Sequence, residues 1–377
     1  MAPFVQPSEA EKQRRRIVGV NAETVTDVGS TDFPGHYPGE DHSWDAEKFA
    51  DTFQVNFHKN EKFNSSFSLV GIDAAVANAF RRIMIAEIPT VAIEYCFVMN
   101  NTSIIQDEVL CQRIGLVPFK GSPQGIREWL KWYKKPAEDA PKDDQFNTCF
   151  DYNTIRLTLN VECTRNPDAA RGETDPHKAY HNAHVYAKDI KYEPFGRQHK
   201  YFSGEGAIAP AYPDILIAKM RPGQCIDIEM HAIKGVGSDH AKFSPVATAS
   251  YRLLPVINIT KPILGKDAEK FARCFPRGVI GLETVSEKEA KAGTPYEGHA
   301  GEKKAVVLDA MKDTVSRECL RHEEFKDKVK LGRIRDHFIF SVESTGQWES
   351  DELFLESINL LKAKCQKLKS ALDDMNV

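Results

Sequence analysis

Apolar and polar residues alternate along several short segments of this 377-residue chain. The alternation is visible over residues 53–57, and it returns in CIDIEMHAI, residues 225–233, where Ile226, Ile228 and Met230 fall on one side. A period of two predicts strands with one buried face. Helical segments lie between such strands without a regular βαβ repeat, so the pattern predicts an α+β fold.

A second pattern is helical and carries two arginines at its centre. Within VGIDAAVANAFRRIMIAEIPTVAIEY, the apolar side chains at helical spacing are those of Ala75, Val76, Ala79, Phe80, Ile83 and Met84. Asp73 is predicted to cap this helix and Pro89 to end it. Arg81 and Arg82 are adjacent, so their side chains leave the helix about 100° apart and cannot both lie on its apolar side.

The C-terminal segment predicts a long helix with a heptad pattern. Its apolar residues follow steps of four and three: Phe354, Ile358, Leu361, Cys365, Leu368 and Leu372. Acidic residues at its start and lysines toward its end suit the helix dipole. Such a stripe could pack on its own domain, but the strict four-three spacing near a terminus favours a partner helix.

Composition excludes several classes of protein. The net charge of -4 argues against a chain that mainly coats nucleic acid, although a local basic patch could exist within that total. No stretch of about 18 apolar residues predicts a membrane span, and the N-terminus does not resemble a secretory signal. The eight cysteines form no C-x-x-C pair, which is typical of reduced thiols in the cytosol or nucleus.

Two groups of potential metal ligands are incomplete. His177, His181 and His184 have helical spacing, but no carboxylate lies between them and the surrounding residues predict a loop. Cys274 precedes Phe-Pro, and steps of three back from Cys319 reach Ser316 and Asp313, so two of the four ligands of a ferredoxin half-site are present. Two thiolates are too few to hold such a cluster, and both cysteines are predicted to be buried free thiols.

Three motifs carry a family resemblance. NAFRRIMIAEIPTVAIEY resembles the alpha motif of cellular RNA polymerases, and NNTSIIQDEVLCQRIGLVPF and DHAKFSPVATASYRLLP extend the similarity to eukaryotic and archaeal alpha-like subunits. The resemblance runs from about residue 50 to the end, and is greatest to the larger alpha-like subunits shared by RNA polymerases I and III. The zinc-binding cysteines of the polymerase II counterpart are missing, because only Cys149 and Cys163 lie in the corresponding region.

The resemblance implies a layout of four parts. Residues 1–45 would be an N-terminal tail, and residues 46–100, 222–262 and 326–377 would form a dimerisation domain. An insert domain at 101–221 and a ferredoxin-like segment at 263–325, without its cluster, would interrupt it. No metal or other cofactor is expected.

The resemblance also implies a function without catalysis. The chain would form a heterodimer with a smaller alpha-like subunit and anchor the second-largest and largest polymerase subunits in the nucleus and nucleolus. It would meet DNA and RNA only through the assembled enzyme. The expected interface residues are Asn78, Phe80, Arg81, Arg82 and Ile83 with the six heptad residues, and Arg82 is expected to reach the second-largest subunit. The alternative for the arginine pair is that both are solvated surface residues. The alternatives for the function are the equivalent subunit of another nuclear polymerase and a nucleic-acid-binding module.

Overall fold

The computed structural model describes residues 8–27, 43–134, 149–170 and 172–375. The chain divides into two compact units. The first contains Met1–Phe57, Phe67–Ala77 and Tyr251–Phe340, and the second contains His58–Ser66, Asn78–Ser250 and Ser341–Val377. The predicted dimerisation domain contributes residues to both units, so its boundaries stay a prediction.

Helices and strands intermix along the described residues, which confirms the α+β class. The helices are α1 (Glu9–Arg16), α2 (Ala46–Thr52), α3 (Ala74–Ala86), α4 (Asp107–Gly115), α5 (Pro176–Ala179), α6 (Gly265–Arg273) and α7 (Ser350–Met375). The strands of the first half are β1 (Ile17–Val20), β2 (Val25–Thr26), β3 (Gln54–Glu61), β4 (Asn64–Val70), β5 (Thr90–Asn101), β6 (Phe119–Lys120), β7 (Ile155–Glu162) and β8 (Thr164–Arg165). The remaining strands are β9 (Tyr180–His181), β10 (His184–Tyr186), β11 (Lys191–Tyr192), β12 (Ala209–Pro210), β13 (Leu216–Lys219), β14 (Cys225–Gly235), β15 (Val246–Ile259), β16 (Ile280–Thr284), β17 (Lys303–Val307) and β18 (Val329–Ser344).

A six-stranded sheet organises the first unit, with the order β2-β1-β18-β4-β3 and β15 also paired with β18. Strand β1 runs antiparallel to β18, from the pair Ile17 and Ile334 onward. Arg16 adds an ion pair with Asp336 at 3.0 Å. Residues 17–20 of the predicted tail thus extend this sheet, and their partner strand lies about 300 residues later in the sequence, while the tail assignment itself stays a prediction. The rest of the predicted tail up to residue 42 lies outside the described residues.

The alternation at residues 53–57 correctly predicted a strand but not its burial. Val55 and Phe57 are exposed on β3, although the Phe57 ring lies 5.2 Å from that of Phe67. Strand β3 ends the sheet order, so among the described residues it has a hydrogen-bonded neighbour on one side only. An edge strand with exposed apolar residues is open to coverage by another chain.

The second unit contains a four-stranded antiparallel sheet in the order β11-β7-β14-β5. In the central strand β14, Ile226, Ile228 and Met230 are almost fully buried, which confirms the predicted inner face. Helix α4 ends at Gly115, and it places Leu110 and Ile114 in the same core. This core is the frame for the functional residues of the second unit.

The segment predicted to be ferredoxin-like contains helix α6 and the antiparallel hairpin of β16 and β17. Phe271 of α6 is fully buried in a core that also contains Cys274 and Cys319. This segment therefore combines a helix with a hairpin, while the ferredoxin-like assignment stays a prediction. Across the described parts of the chain, no helix combines the length and apolar character needed to cross a membrane.

Candidate subunit interface

Helix α3 begins and ends where its sequence predicted. The Asp73 carboxylate accepts a hydrogen bond from the Ala75 amide at 3.3 Å, as expected for a cap. At the other end, the Ser238 amide donates to the Ala86 carbonyl at 3.0 Å. Gly237 allows this approach, because a Cβ there would lie 2.2 Å from the Ile85 carbonyl oxygen. The loop after β14 therefore fixes the end of the helix.

One side of α3 belongs to the core of the chain. Phe80, Ile83 and Met84 are buried, and the Phe80 ring meets that of Phe354 edge to face at 5.4 Å. Phe80, Ile83 and Phe354 thus contribute to the core, and their predicted place at a subunit interface stays a prediction. Val76, four residues before Phe80, is exposed instead of buried. The predicted apolar side of α3 therefore extends beyond the part that this chain covers.

The two arginines of α3 have different surroundings. Arg81 is half-buried, and its guanidinium donates from Nε and Nη2 to the Asn78 side-chain oxygen at 3.0 and 2.9 Å. Arg82 is exposed and has no hydrogen bond or ion pair with any residue that the structure describes. Arg81 therefore has an internal role, and Arg82 presents a free guanidinium to solvent or to another chain.

The first two turns of α7, here called its base, contain its buried residues, whereas the rest of the helix is exposed. Leu353, Phe354, Glu356 and Ser357 are buried near its start. Further along, the exposed fractions of Ile358, Leu368 and Leu372 are 38%, 66% and 59%. Leu361 is half-buried, and Cys365 is exposed. Five of the six heptad residues therefore retain exposure, and only Phe354 is part of the core.

Charged groups that the sequence analysis missed hold the base of α7. The carboxylate of Glu356 is only 4% exposed and binds Arg127 at 2.6 Å. Lys234 donates from Nζ to the carbonyls of Arg127 and Leu130 at 2.9 and 3.1 Å. Burial lowers the pKa of Lys234 to about 8, and the nearby Lys131 adds to this effect. No motif joins these residues, because they come from segments far apart in the sequence.

An ion pair connects the end of helix α3 to the exposed part of α7. Glu87 directly follows α3, and its carboxylate accepts a hydrogen bond from Lys364 at 2.7 Å. Both side chains remain partly exposed. The pair therefore contributes little to stability by itself.

The histidines and cysteines that the sequence offered as incomplete sets of metal ligands have the following surroundings. His177, His181 and His184 lie on α5, β9 and β10, and the rings of His177 and His184 stack at 4.1 Å. Stacked parallel rings do not direct their nitrogens toward one ion. Cys274 and Cys319 are buried free thiols, as predicted, and burial raises the pKa of Cys319 to about 12. Within the described ranges, no three histidine, cysteine or acidic side chains could hold a metal ion.

Comparison with known proteins identifies the family. The model of the RNA polymerase Rpb3/Rpb11 dimerisation domain matches residues 66–365, a range that includes α3 and most of α7. This chain belongs to that family. It is 52% identical to the Saccharomyces cerevisiae protein "DNA-directed RNA polymerases I and III subunit RPAC1", over 94% of this chain and 98% of the relative. The Mus musculus and Homo sapiens proteins of that name are 45% and 44% identical, over 96% and 97% of this chain and 96% and 98% of theirs.

Proposed function

We propose that this chain is the larger alpha-like subunit of RNA polymerases I and III, a nuclear assembly subunit without a catalytic role. The near full-length similarity to proteins named as subunits of both polymerases supports this proposal. The chain would therefore act in the nucleus and, as a subunit of polymerase I, in the nucleolus. The chain would contact nucleic acid only through the assembled enzyme.

The observation that carries the proposal is the exposed stripe of α7. Beyond the buried base of the helix, the stripe consists of five residues at heptad spacing: Ile358, Leu361, Cys365, Leu368 and Leu372. Each apolar side chain contributes roughly 1.5–3 kcal/mol when a partner buries it fully. A stripe of this length left in solvent would favour aggregation. The occupant we propose is a helix of the smaller alpha-like subunit, because the matching family is defined by a dimerisation domain.

A second surface is proposed for the second-largest subunit. Arg82 is exposed and unpaired among the described residues, while its neighbour Arg81 is engaged by Asn78. A guanidinium is suited to paired hydrogen bonds with a carboxylate or with carbonyl oxygens of another chain. Arg82 would therefore bind the second-largest subunit in a later assembly step. Loss of its side chain would leave the heterodimer intact.

The test of heterodimer formation is a charge substitution within the stripe. Leu361→Asp would place a carboxylate among apolar side chains and should abolish co-purification with the smaller alpha-like subunit. Ala363→Asp is the matched control, since residue 363 lies about 200° around the same helix and is exposed. The control should retain the complex.

Size-exclusion chromatography after co-expression measures the complex, and circular dichroism measures the fold. Loss of the complex with unchanged helix content supports the proposal. Equal retention of the complex by both variants would show that α7 does not bind the partner, and the stripe would then need another occupant.

A further inference from the structure

We propose that Cys149 is a site of oxidation by hydroperoxides, activated by His231 and Glu229. This modification site is independent of the proposed assembly function. Its Sγ lies 3.6 Å from Nδ1 of His231, and Nε2 of the same ring lies 3.1 Å from Oε1 of Glu229. A nucleophile, a base and a carboxylate that orients the base are therefore aligned in that order.

The surroundings fix the orientation of the imidazole. His231 is buried on β14 and lies opposite Tyr95 of β5 and Arg156 of β7. The Phe97 ring packs edge-on against it at 4.8 Å. These neighbours leave the ring little freedom to turn away from Cys149.

Glu229 determines which ring nitrogen carries the proton. Its Oε1 is also 3.1 Å from Nε of Arg156, so the carboxylate is held between two donors. When Nε2 of His231 donates to this carboxylate, Nδ1 has a free lone pair directed at the Cys149 thiol. The Tyr95 ring lies 5.7 Å from the ring of Tyr133. Burial, together with the nearby Tyr133 and Glu94, raises the pKa of Tyr95 to about 12. Tyr95 therefore stays neutral at physiological pH and does not compete as a base.

The other cysteines lack this arrangement among the described residues. Burial raises the pKa of Cys96, Cys111, Cys163, Cys274 and Cys319, which makes their reactive thiolates scarce. Cys225 begins the same strand as His231 and is partly exposed like Cys149, but its sulfur lies 3.6 Å from the Thr102 hydroxyl. A hydroxyl is a poor base, so Cys225 is a matched control.

The proposed reaction is balanced without any further reactant. Nδ1 of His231 accepts the thiol proton as the sulfur of Cys149 attacks one oxygen of hydrogen peroxide. The S–O bond forms, the O–O bond breaks, and the departing hydroxide takes the proton from His231 to become water. The sulfur is oxidised by two electrons to a sulfenic acid, and the peroxide is reduced.

The first experiment measures thiol reactivity in the natively purified protein with its bound subunits. At pH 7, the thiols are treated with iodoacetamide or with hydrogen peroxide plus dimedone, and each cysteine peptide is quantified by mass spectrometry. Cys149 should react at least about tenfold faster than Cys225 with both reagents, since general-base assistance typically gives 10²–10⁴-fold. Equal rates for the two cysteines would overturn the proposal.

Variants separate activation from mere exposure. His231→Gln should lower the Cys149 rate to that of Cys225, and Glu229→Gln should lower it by a smaller factor because the base remains but loses its orientation. Cys163, whose side chain is fully buried, reports on the fold and should stay unmodified. If Cys163 becomes modified in His231→Gln, that variant has lost its fold, and Glu229→Gln becomes the test of activation. An unchanged Cys149 rate in Glu229→Gln would then refute the proposal.

Discussion

Replacement of Arg127 by alanine should destabilise the second unit far more than removal of an exposed arginine. Arg127 approaches the Glu356 carboxylate to 2.6 Å, and this carboxylate is only 4% exposed. Loss of one partner from a buried pair typically costs about 3–5 kcal/mol, because the other charge stays buried. The Arg127 side chain is 40% exposed, so solvent screening reduces the expected loss to about 2–3 kcal/mol.

The assay is thermal unfolding of the purified protein, combined with hydrogen exchange of the π-helical turn at Gly125–Trp129, which contains Arg127. A loss of this size should lower the midpoint by several degrees and increase amide exchange in that turn. The control is Arg321→Ala, since Arg321 pairs with Glu318 at 3.0 Å while its side chain is 75% exposed. That variant should change the free energy of unfolding by no more than about 0.5 kcal/mol.

A double-mutant cycle tests the reasoning directly. Glu356→Gln keeps the shape of the side chain and removes its charge, so the single change should cost only about 1 kcal/mol. Arg127→Ala should then be much less harmful in the Glu356→Gln background, with a coupling energy of about 1–2 kcal/mol. Equal costs of Arg127→Ala in both backgrounds would refute the claim that this ion pair anchors α7.

Three further predictions concern pH, backbone packing and assembly. Burial lowers the pKa of Lys234 to about 8, so between that pH and about 10.5 the unfolded chain binds more protons than the folded one, and stability should rise with pH relative to a Lys234→Met variant. Chemical denaturation at several pH values measures this difference, and parallel curves for the two proteins would contradict it. Gly237→Ala should cost about 1–3 kcal/mol because its Cβ would lie 2.2 Å from the Ile85 carbonyl oxygen, whereas Gly115→Ala, with 3.6 Å to its nearest neighbour, should be nearly neutral in the same unfolding assay. Arg82→Ala should leave heterodimer formation unchanged but weaken capture of the second-largest polymerase subunit by up to about 3–5 kcal/mol if that contact is buried, and a pull-down with normal capture would exclude this role.

The sequence alone determined the elements with strong periodicity. The alternation of Ile226, Ile228 and Met230 marked a strand with a buried face, and the heptad residues marked the long helix α7. Asp73 marked the start of α3. These features depend on residues close together in the chain, where the repeat of a strand or helix limits which side chains share a face.

Only the tertiary structure decided which faces are covered and which distant groups meet. It buries Phe354 against Phe80 but leaves Ile358, Leu368 and Leu372 exposed. All four residues of α7 nevertheless belong to the same heptad pattern. It also brings Arg127 to Glu356 and Cys149 to His231, pairs separated by 229 and 82 residues. Periodicity predicts that a face is apolar, but burial and ion pairing depend on packing between segments far apart in the sequence, which no local pattern records.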